Sequence, residues 1–339
     1  MRSLALQLGV SKSTVSLALA NNPRLPEETR LRIQAAARAA GYTQDAVMSR
    51  LLSRLRAGRA KRFQGSLAVL SCRRHAPMWD AYEVYRRFTS GIENRARELG
   101  YSTERFWLHQ PGVSISALRR TLRARGIEGL AIALHDDDAP LPPEGLRLFA
   151  DYPVAATQRY PFGQLAHCAT INQYEAVRLA CAQLARRGYR RIGLYVHPGT
   201  DRFLDGKFTA GYLYHCHSSG LPVLPVVGPG EETHAAHFRA WFRKNKPDAV
   251  VTLVSCADVW LIDLGHPPGE KVGLVHLDST EVAGWAAVDQ HFAEVGSACV
   301  DLVVGQLQRG ERGVPAIPKL VTLDVGWREG PTVRPPPPG

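Results

Sequence analysis

The sequence predicts a small all-α head carrying a helix-turn-helix, followed by an α/β body of parallel sheets. Three observations lead there. Residues 9–22 have the pattern of a tight turn followed by a short exposed helix. Residues 1–62 hold twelve Lys/Arg against three Asp/Glu, a net of +9, whereas the remainder of the +11 chain carries only +2. From about residue 64 onward, apolar β-type runs alternate with amphipathic helical stretches.

In the head, Leu4, Ala5 and Leu8 fall at helical spacing and stop at Gly9, a residue that readily takes the left-handed helix-ending conformation. Ser11 is placed to cap a second helix by accepting a backbone N–H bond. Val15 and Leu19 lie four apart and are expected to face inward, leaving Lys12, Ser13 and Ser16 outside. A third helix starts near Pro26, with Glu27 and Glu28 complementing its dipole. Ile33, Ala36, Ala37 and Ala40 form its apolar stripe, and Gly41 ends it. An ordinary amphipathic helical hairpin would fit the pattern alone. The charge split favours a nucleic-acid reader instead, because a basic head on a near-neutral body is the footprint of phosphate binding. Membrane attachment fits poorly, since the apolar faces are Ala-rich and no Trp or Phe precedes Phe63.

In the body, strands are expected at Ser66–Leu70, Leu130–Leu134, Arg191–Val196, Ala249–Leu253 and Lys271–Leu277. Helices are expected at Arg86–Leu99, Ile115–Arg125, Tyr174–Arg187 and His237–Lys244. Such alternation implies parallel sheets covered by helices, with ligand sites at the C-terminal strand ends. The helix-ending pairs Gly41-Tyr42, Gly100-Tyr101 and Gly188-Tyr189 suggest two similar lobes. The end of the chain, 331–339, reads as a Pro-rich tail.

No apolar run approaches the ~20 residues of a membrane span, and the N-terminus lacks the apolar core of a secretion signal. The six scattered cysteines form no C-x-x-C pair and suit free thiols in a reducing cytoplasm. His215-Cys216-His217 and the pair His234/His237 lack the spacing of a structural zinc set. Phosphate-cradling and nucleophile-elbow motifs are missing, and Gly206-Lys207 has neither the upstream Gly nor the following Ser/Thr of a P-loop. Neither an enzyme nor a cofactor or metal is expected.

The segments Gly-Val-Ser-x-x-Thr-Val-Ser (9–16), Asn21-Asn22, Glu28-Thr29-Arg30 and Ala-Ala-x-x-x-Gly-Tyr (36–42) resemble the N-terminal domain of the lac repressor/gal repressor (LacI/GalR) family. Gly91-Ile92-Glu93, Glu98-Leu99-Gly100-Tyr101, Gly126-Ile127-Glu128-Gly129-Leu130, Arg187-Gly188-Tyr189-Arg190-Arg191-Ile192 and Pro247-Asp248-Ala249-Val250 extend the resemblance through the body. The resemblance implies a cytoplasmic homodimeric regulator that binds a pseudo-palindromic operator in double-stranded DNA and responds to a small-molecule effector, a sugar or derivative. It implies a helix-turn-helix domain over 1–44, a hinge helix and linker over 45–63, and a two-lobed body like a periplasmic binding protein over 64–330. A sugar-binding or sugar-processing α/β protein, its basic head docking to a partner, is the competing reading.

By the resemblance, Lys12, Ser13 and Leu17 occupy base-reading positions, with Thr14, Ser16 and Asn21 beside them. Leu17 departs from the family's common Arg, which forks onto guanine; Leu offers only apolar contact, for example to a thymine methyl. Asp45–Arg56 matches the hinge helix, with Leu51 at the minor-groove wedge and Met48 where Ala is usual. A flexible basic linker is the alternative for that segment. A helix-capping Thr of the family has no counterpart before Arg2, so either the first helix is shortened or translation starts upstream, and the upstream start is expected. Asp278 matches the carboxylate that accepts sugar hydroxyls, with Gln290 as a second polar contact; a strand-end cap is the alternative for Asp278. The family's sugar-binding Arg falls on Phe208, so Lys207 or Arg202 substitutes or the ligand differs. The family's usual Asn-Asp pair is also absent near Val254–Ala257. Trp79 is placed either to stack on a sugar ring or to pack in the core.

Overall fold

The computed structural model describes residues 5–6, 8–19, 25–39, 64–74, 79–134, 143–158, 165–227 and 233–336. In the head, Ala5, Leu6 and Leu8 are helical, and two helices follow, α1 (Lys12–Leu19) and α2 (Glu27–Ala39). Ala5, Val15, Ala18, Ile33 and Ala37 form its buried centre, with Leu8, Val10, Leu25 and Ala36 packed around them. Ala18 is the buried partner of Val15 on α1, a position not singled out in the sequence. The α2 stripe is as expected at Ile33 and Ala37; Ala40 and Gly41 lie outside the described residues.

The body has two sheets. The first lobe contains β1 (Gly65–Ser71), α3 (Glu83–Glu98), β2 (Tyr101–Trp107), α4 (Ile115–Ala124), β3 (Ile127–Leu134), α5 (Pro143–Phe149), β4 (Val154–Ala156) and β5 (His167–Ile171). The chain then crosses into the second lobe for α6 (Gln173–Arg186), β6 (Ile192–Tyr195), α7 (Pro198–Phe203), α8 (Lys207–Ser218) and α9 (Ala235–Asn245). This lobe continues through β7 (Ala249–Thr252), α10 (Ala257–Asp263), β8 (Gly273–His276) and β9 (Ala286–Asp289). A second crossing returns α11 (Phe292–Arg309) and β10 (Leu320–Leu323) to the first lobe, and a third sends β11 (Gly326–Arg328) back to the second.

Strand order in the first sheet is β10-β5-β4-β3-β1-β2, all parallel; in the second it is β11-β9-β8-β7-β6, with β11 antiparallel to β9. The expectation of parallel sheets is met except at β11. The crossing explains the exception: β10 runs parallel to the other first-lobe strands, and residues 324–325 carry the chain from its end directly into the second sheet, where β11 pairs antiparallel with β9. β1 is buried along its length, as a strand covered on both faces must be, while β2 is partly exposed throughout because it is the sheet edge.

The first lobe depends on α11. Val295, Cys299, Val300 and Val303 are fully buried against Leu67, Val69, Ile92 and Ala131. Each such Val contributes about 1.5–3 kcal/mol of burial. The second lobe packs Ala176, Val177, Ala180 and Leu184 of α6 against Phe208 and Tyr212 of α8 and one face of the sheet. Phe238, Trp241 and Phe242 of α9 cover the other face.

The start of the expected tail is held to this lobe. Thr332 Oγ1 donates to the Leu274 carbonyl at 2.7 Å and accepts from Ala286 N at 2.9 Å, and Arg334 N donates to the Tyr189 hydroxyl at 3.0 Å. Residues 331–334 therefore belong to the body rather than to a tail, because the Thr332 hydroxyl bridges Leu274 of β8 and Ala286 of β9 and Arg334 N is bonded to Tyr189. Among the described residues no helix is long and apolar enough to cross a membrane.

Candidate functional site

The head presents a capped helix after a glycine turn. Gly9 has φ +64°, the left-handed conformation expected of it, and Val10 N donates to the Ala5 carbonyl at 3.0 Å. Ser11 Oγ then accepts from Thr14 N at 3.0 Å and lies 2.8 Å from Thr14 Oγ1, so the first turn of α1 is capped as its sequence indicates. Gln34 of α2 donates from Nε2 to the Ala18 carbonyl at 2.9 Å, fixing the crossing of the two helices. With Val15 and Ala18 buried, Thr14 and Leu17 remain half-exposed on α1. Lys12, Ser13 and Ser16 are positions of the same helix. Asn21, Met48, Leu51 and the whole hinge segment 45–56 lie outside the described residues.

The second candidate site lies where the strands of both lobes end. Asp278, just beyond β8, is buried. Its Oδ1 accepts from Thr280 N at 2.8 Å and Thr280 Oγ1 at 2.7 Å, and its own backbone N donates to His276 Nδ1 at 3.1 Å. Burial raises the pKa of Asp278 against the opposing Thr280 bonds and the charges of His276 and Arg87. Arg87 is on α3 of the other lobe, bonded to Glu83 at 2.9 Å. Glu281 is likewise raised, by burial first and then by the charges of Asp278 and Glu83. Two acids of one lobe thus sense an acid–base pair of the other across the gap.

Gln290 is buried just beyond β9, and its Nε2 donates to the Leu277 carbonyl, tying the ends of β8 and β9 beside Asp278. It positions the Asp278 loop. Lys207 opens α8, half-buried, with Nζ 3.8 Å from Asp205 Oδ2. It lines a narrow gap with Gln158 and Thr170 at the first-lobe strand ends, with Gln173 at the start of α6, and with Phe203 and Leu204. Gln173 is buried, and its Oε1 has no hydrogen-bond partner among the described residues, so it is an acceptor facing a polar gap. Arg202, on α7, is exposed. Phe208 is buried in the second-lobe core, so this chain places an apolar side chain where the family resemblance called for an Arg.

Trp79 is half-buried at the edge of the first-lobe core, and the Arg105 guanidinium lies 5.7 Å from its ring centroid. One face is therefore covered by a cation and the ring serves as a wall of the first lobe. His234 and His237 have structural partners: His234 Nδ1 accepts from His237 N at 3.3 Å, capping α9, and His237 Nδ1 is 3.0 Å from the Tyr195 hydroxyl. Glu83, Arg87 and Gln173 are the cleft residues that sequence reasoning missed. The one signal for Gln173 was its place directly after Asn172, which caps α6 by accepting from Glu175 N at 3.2 Å.

Residues 1–45 match the family described as bacterial regulatory proteins, lacI family. A relative from Streptomyces limosus, described as an uncharacterised HTH-type transcriptional regulator in the aml 5′ region, is 27% identical over 210 residues. That match covers 61% of this chain and 54% of the relative, so the chain spans about half the relative's length. Among solved structures, a transcriptional regulator CelR–cellobiose complex superposes with a TM-score of 0.60 at 19% identity, covering 97% of this chain and 98% of that one. The lac repressor dimer bound to operator and the anti-inducer ONPF gives 0.57 at 18% identity, covering 98% of each chain. The transcription regulator CcpA of Lactococcus lactis gives 0.58 at 12% identity, covering 79% of this chain and 99% of that one. At these identities the structural likeness bears on the fold: a helix-turn-helix head joined to a two-lobed α/β body.

Proposed function

From the match of residues 1–45 to the lacI family of bacterial regulatory proteins, we propose that the chain binds a pseudo-palindromic DNA operator as a homodimer under the control of a small-molecule effector. The effector is a sugar or a derivative of one, held between the lobes. The head carries the reading: a Ser11-capped helix with half-exposed Thr14 and Leu17, on a segment of net charge +9. Lys12, Ser13, Thr14, Ser16, Leu17 and Asn21 read the major groove, while Met48 and Leu51 meet the minor groove at the operator centre. The lac repressor neighbour is a dimer on its operator, and here α10 exposes Val259 and Ile262, one helical turn apart, as apolar surface for a second copy.

In the cleft, Asp278 accepts sugar hydroxyls, Lys207 and Gln173 supply a donor and an acceptor, and Arg202 and Trp79 border the site. Gln290 holds the Asp278 loop. A ligand touching both lobes shifts the balance between open and closed bodies by its difference in affinity for the two, and the crossings at Asn172, His291 and Asp324 bend.

The test is selection from a randomised duplex pool, followed by anisotropy titration at two salt concentrations. Enrichment of one pseudo-palindrome, with binding that weakens at higher salt, supports the reading. Unchanged operator affinity in the Lys12→Ala/Leu17→Ala variant would remove the assigned reading positions. Absence of DNA binding, with turnover of a sugar, would overturn the function itself.

A further inference from the structure

A groove of about 570 Å³ lies on the second lobe at the opposite end of the sheet from the cleft, beside the starts of β7 and β8. That volume is in the range of small-molecule sites. Its floor is apolar, formed by Phe242, Leu264 and Val272, and its rim carries Arg243, Lys246 and Lys271. The two carboxylates that also line it are both engaged elsewhere. Asp248 accepts from Arg190 N at 2.7 Å and Arg191 N at 2.9 Å, and Asp263 pairs with Arg239 at 2.7 Å. Among the described residues neither Arg243 nor Lys246 has a carboxylate partner, and Lys271 Nζ donates to the Gly265 carbonyl at 3.0 Å. The groove therefore joins an apolar floor to positive charge that, among the described residues, is paired with no carboxylate at Arg243 or Lys246.

Lys246 adds an independent observation. It ends α9 with φ 46°, a left-handed conformation that Gly or Asn takes with less strain. The chain keeps a cation there in a backbone geometry that disfavours it. Strained positions of this kind persist where surrounding structure or a ligand uses them.

We propose that this groove binds a small organic anion, an aryl or alkyl carboxylate or phosphate, with its apolar body on Phe242, Leu264 and Val272 and its charge between Arg243 and Lys246. It is a second ligand site of the regulator, separate from the cleft. The test is calorimetric titration of the full chain with salicylate, with neutral salicylamide as the control. One saturable site per chain is expected, with much weaker binding of salicylamide. Lys246→Gly is the informative variant, because Gly suits the backbone there: its unfolding temperature should be no lower than that of the parent, while its Kd for salicylate rises about tenfold. Arg243→Gln should weaken binding similarly. Lys207→Gln, in the cleft, should leave it unchanged. Equal affinity for salicylate and salicylamide, unchanged affinity in both groove variants, or loss of binding in Lys207→Gln would each overturn the assignment. None of these outcomes depends on DNA binding or on the cleft ligand.

Discussion

Gly296 of α11 meets Phe88 of α3 backbone to backbone: a β-carbon on Gly296 would lie 2.3 Å from the Phe88 carbonyl oxygen. Gly91 makes the reciprocal approach, where a β-carbon would lie 1.9 Å from the Ala293 carbonyl oxygen. The Phe88 and Phe292 rings pack edge to face beside them, 5.1 Å apart. Alanine ordinarily stabilises a helix interior relative to glycine. Here Gly296→Ala should instead cost about 1–3 kcal/mol, because the two helices must separate. Urea denaturation measures it, and a stabilised variant would show that the close approach is absent.

Acid should weaken the body. His276, His167 and His215 are buried, and burial holds the pKa of each below the ordinary histidine value. Folded, they resist protonation; unfolded, they take a proton near pH 6.5. Their stabilising contribution is fully present above about pH 6.5 and is lost as pH falls through that value toward the folded pKa. Urea midpoints at pH 7.5 and 6.0 should therefore differ, and His276→Gln should shrink the difference. An identical pH slope in parent and variant would show that His276 is not held neutral by the fold.

Asp278→Asn keeps an oxygen for Thr280 and removes the carboxylate. Since the folded carboxyl is raised in pKa by burial, its ionised form is penalised at pH 7, and that penalty vanishes in the variant. Stability at pH 7 should hold or rise. Binding of the sugar identified by a thermal-shift screen should weaken by about 1.5–3 kcal/mol, the worth of a hydrogen bond to a charged group. Binding at full strength would leave Asp278 as a cap of the 278–280 turn alone.

Leu17→Arg should rewrite the operator. A guanidinium at that position of α1 can fork onto guanine, adding about 1–3 kcal/mol of discrimination at one base pair of each half-site. Repeating the duplex selection with the variant reads this out: the enriched sequence should change at one symmetric pair of positions. An unchanged consensus would mean that Leu17 does not face base edges.

Much of the architecture was legible where one physical signal dominates. β1, β3, β6, β7 and β8 stand out as apolar runs because both their faces are covered. Gly9, Ser11, Val15 and Ile33 announce the head through turn, cap and stripe. β2 escaped because Tyr-Ser-Thr-Glu-Arg-Phe-Trp at a sheet edge has no cleanly buried face, and β4 because it is three residues long. α8 carries Leu213 and Tyr214 exposed beside buried Phe208 and Tyr212, so its apolar pattern has no single face. In the cleft, Asp278 could be found from its own strand. Glu83 and Arg87 could not, because only the lobe crossings bring them near the Asp278–Glu281 turn, and Gln173 could not, because it meets Lys207 only across a gap between distant parts of the chain.

The late position of α11 in the chain has a consequence for biosynthesis. On the ribosome, one side of the first lobe's sheet is translated with only α3 to cover it, and the helix that completes that cover is made only after β6–β9 of the other lobe. The head, by contrast, precedes the whole body in the chain. A chain that stops between the head and Phe292 thus carries the helical head without the helix that closes the first lobe.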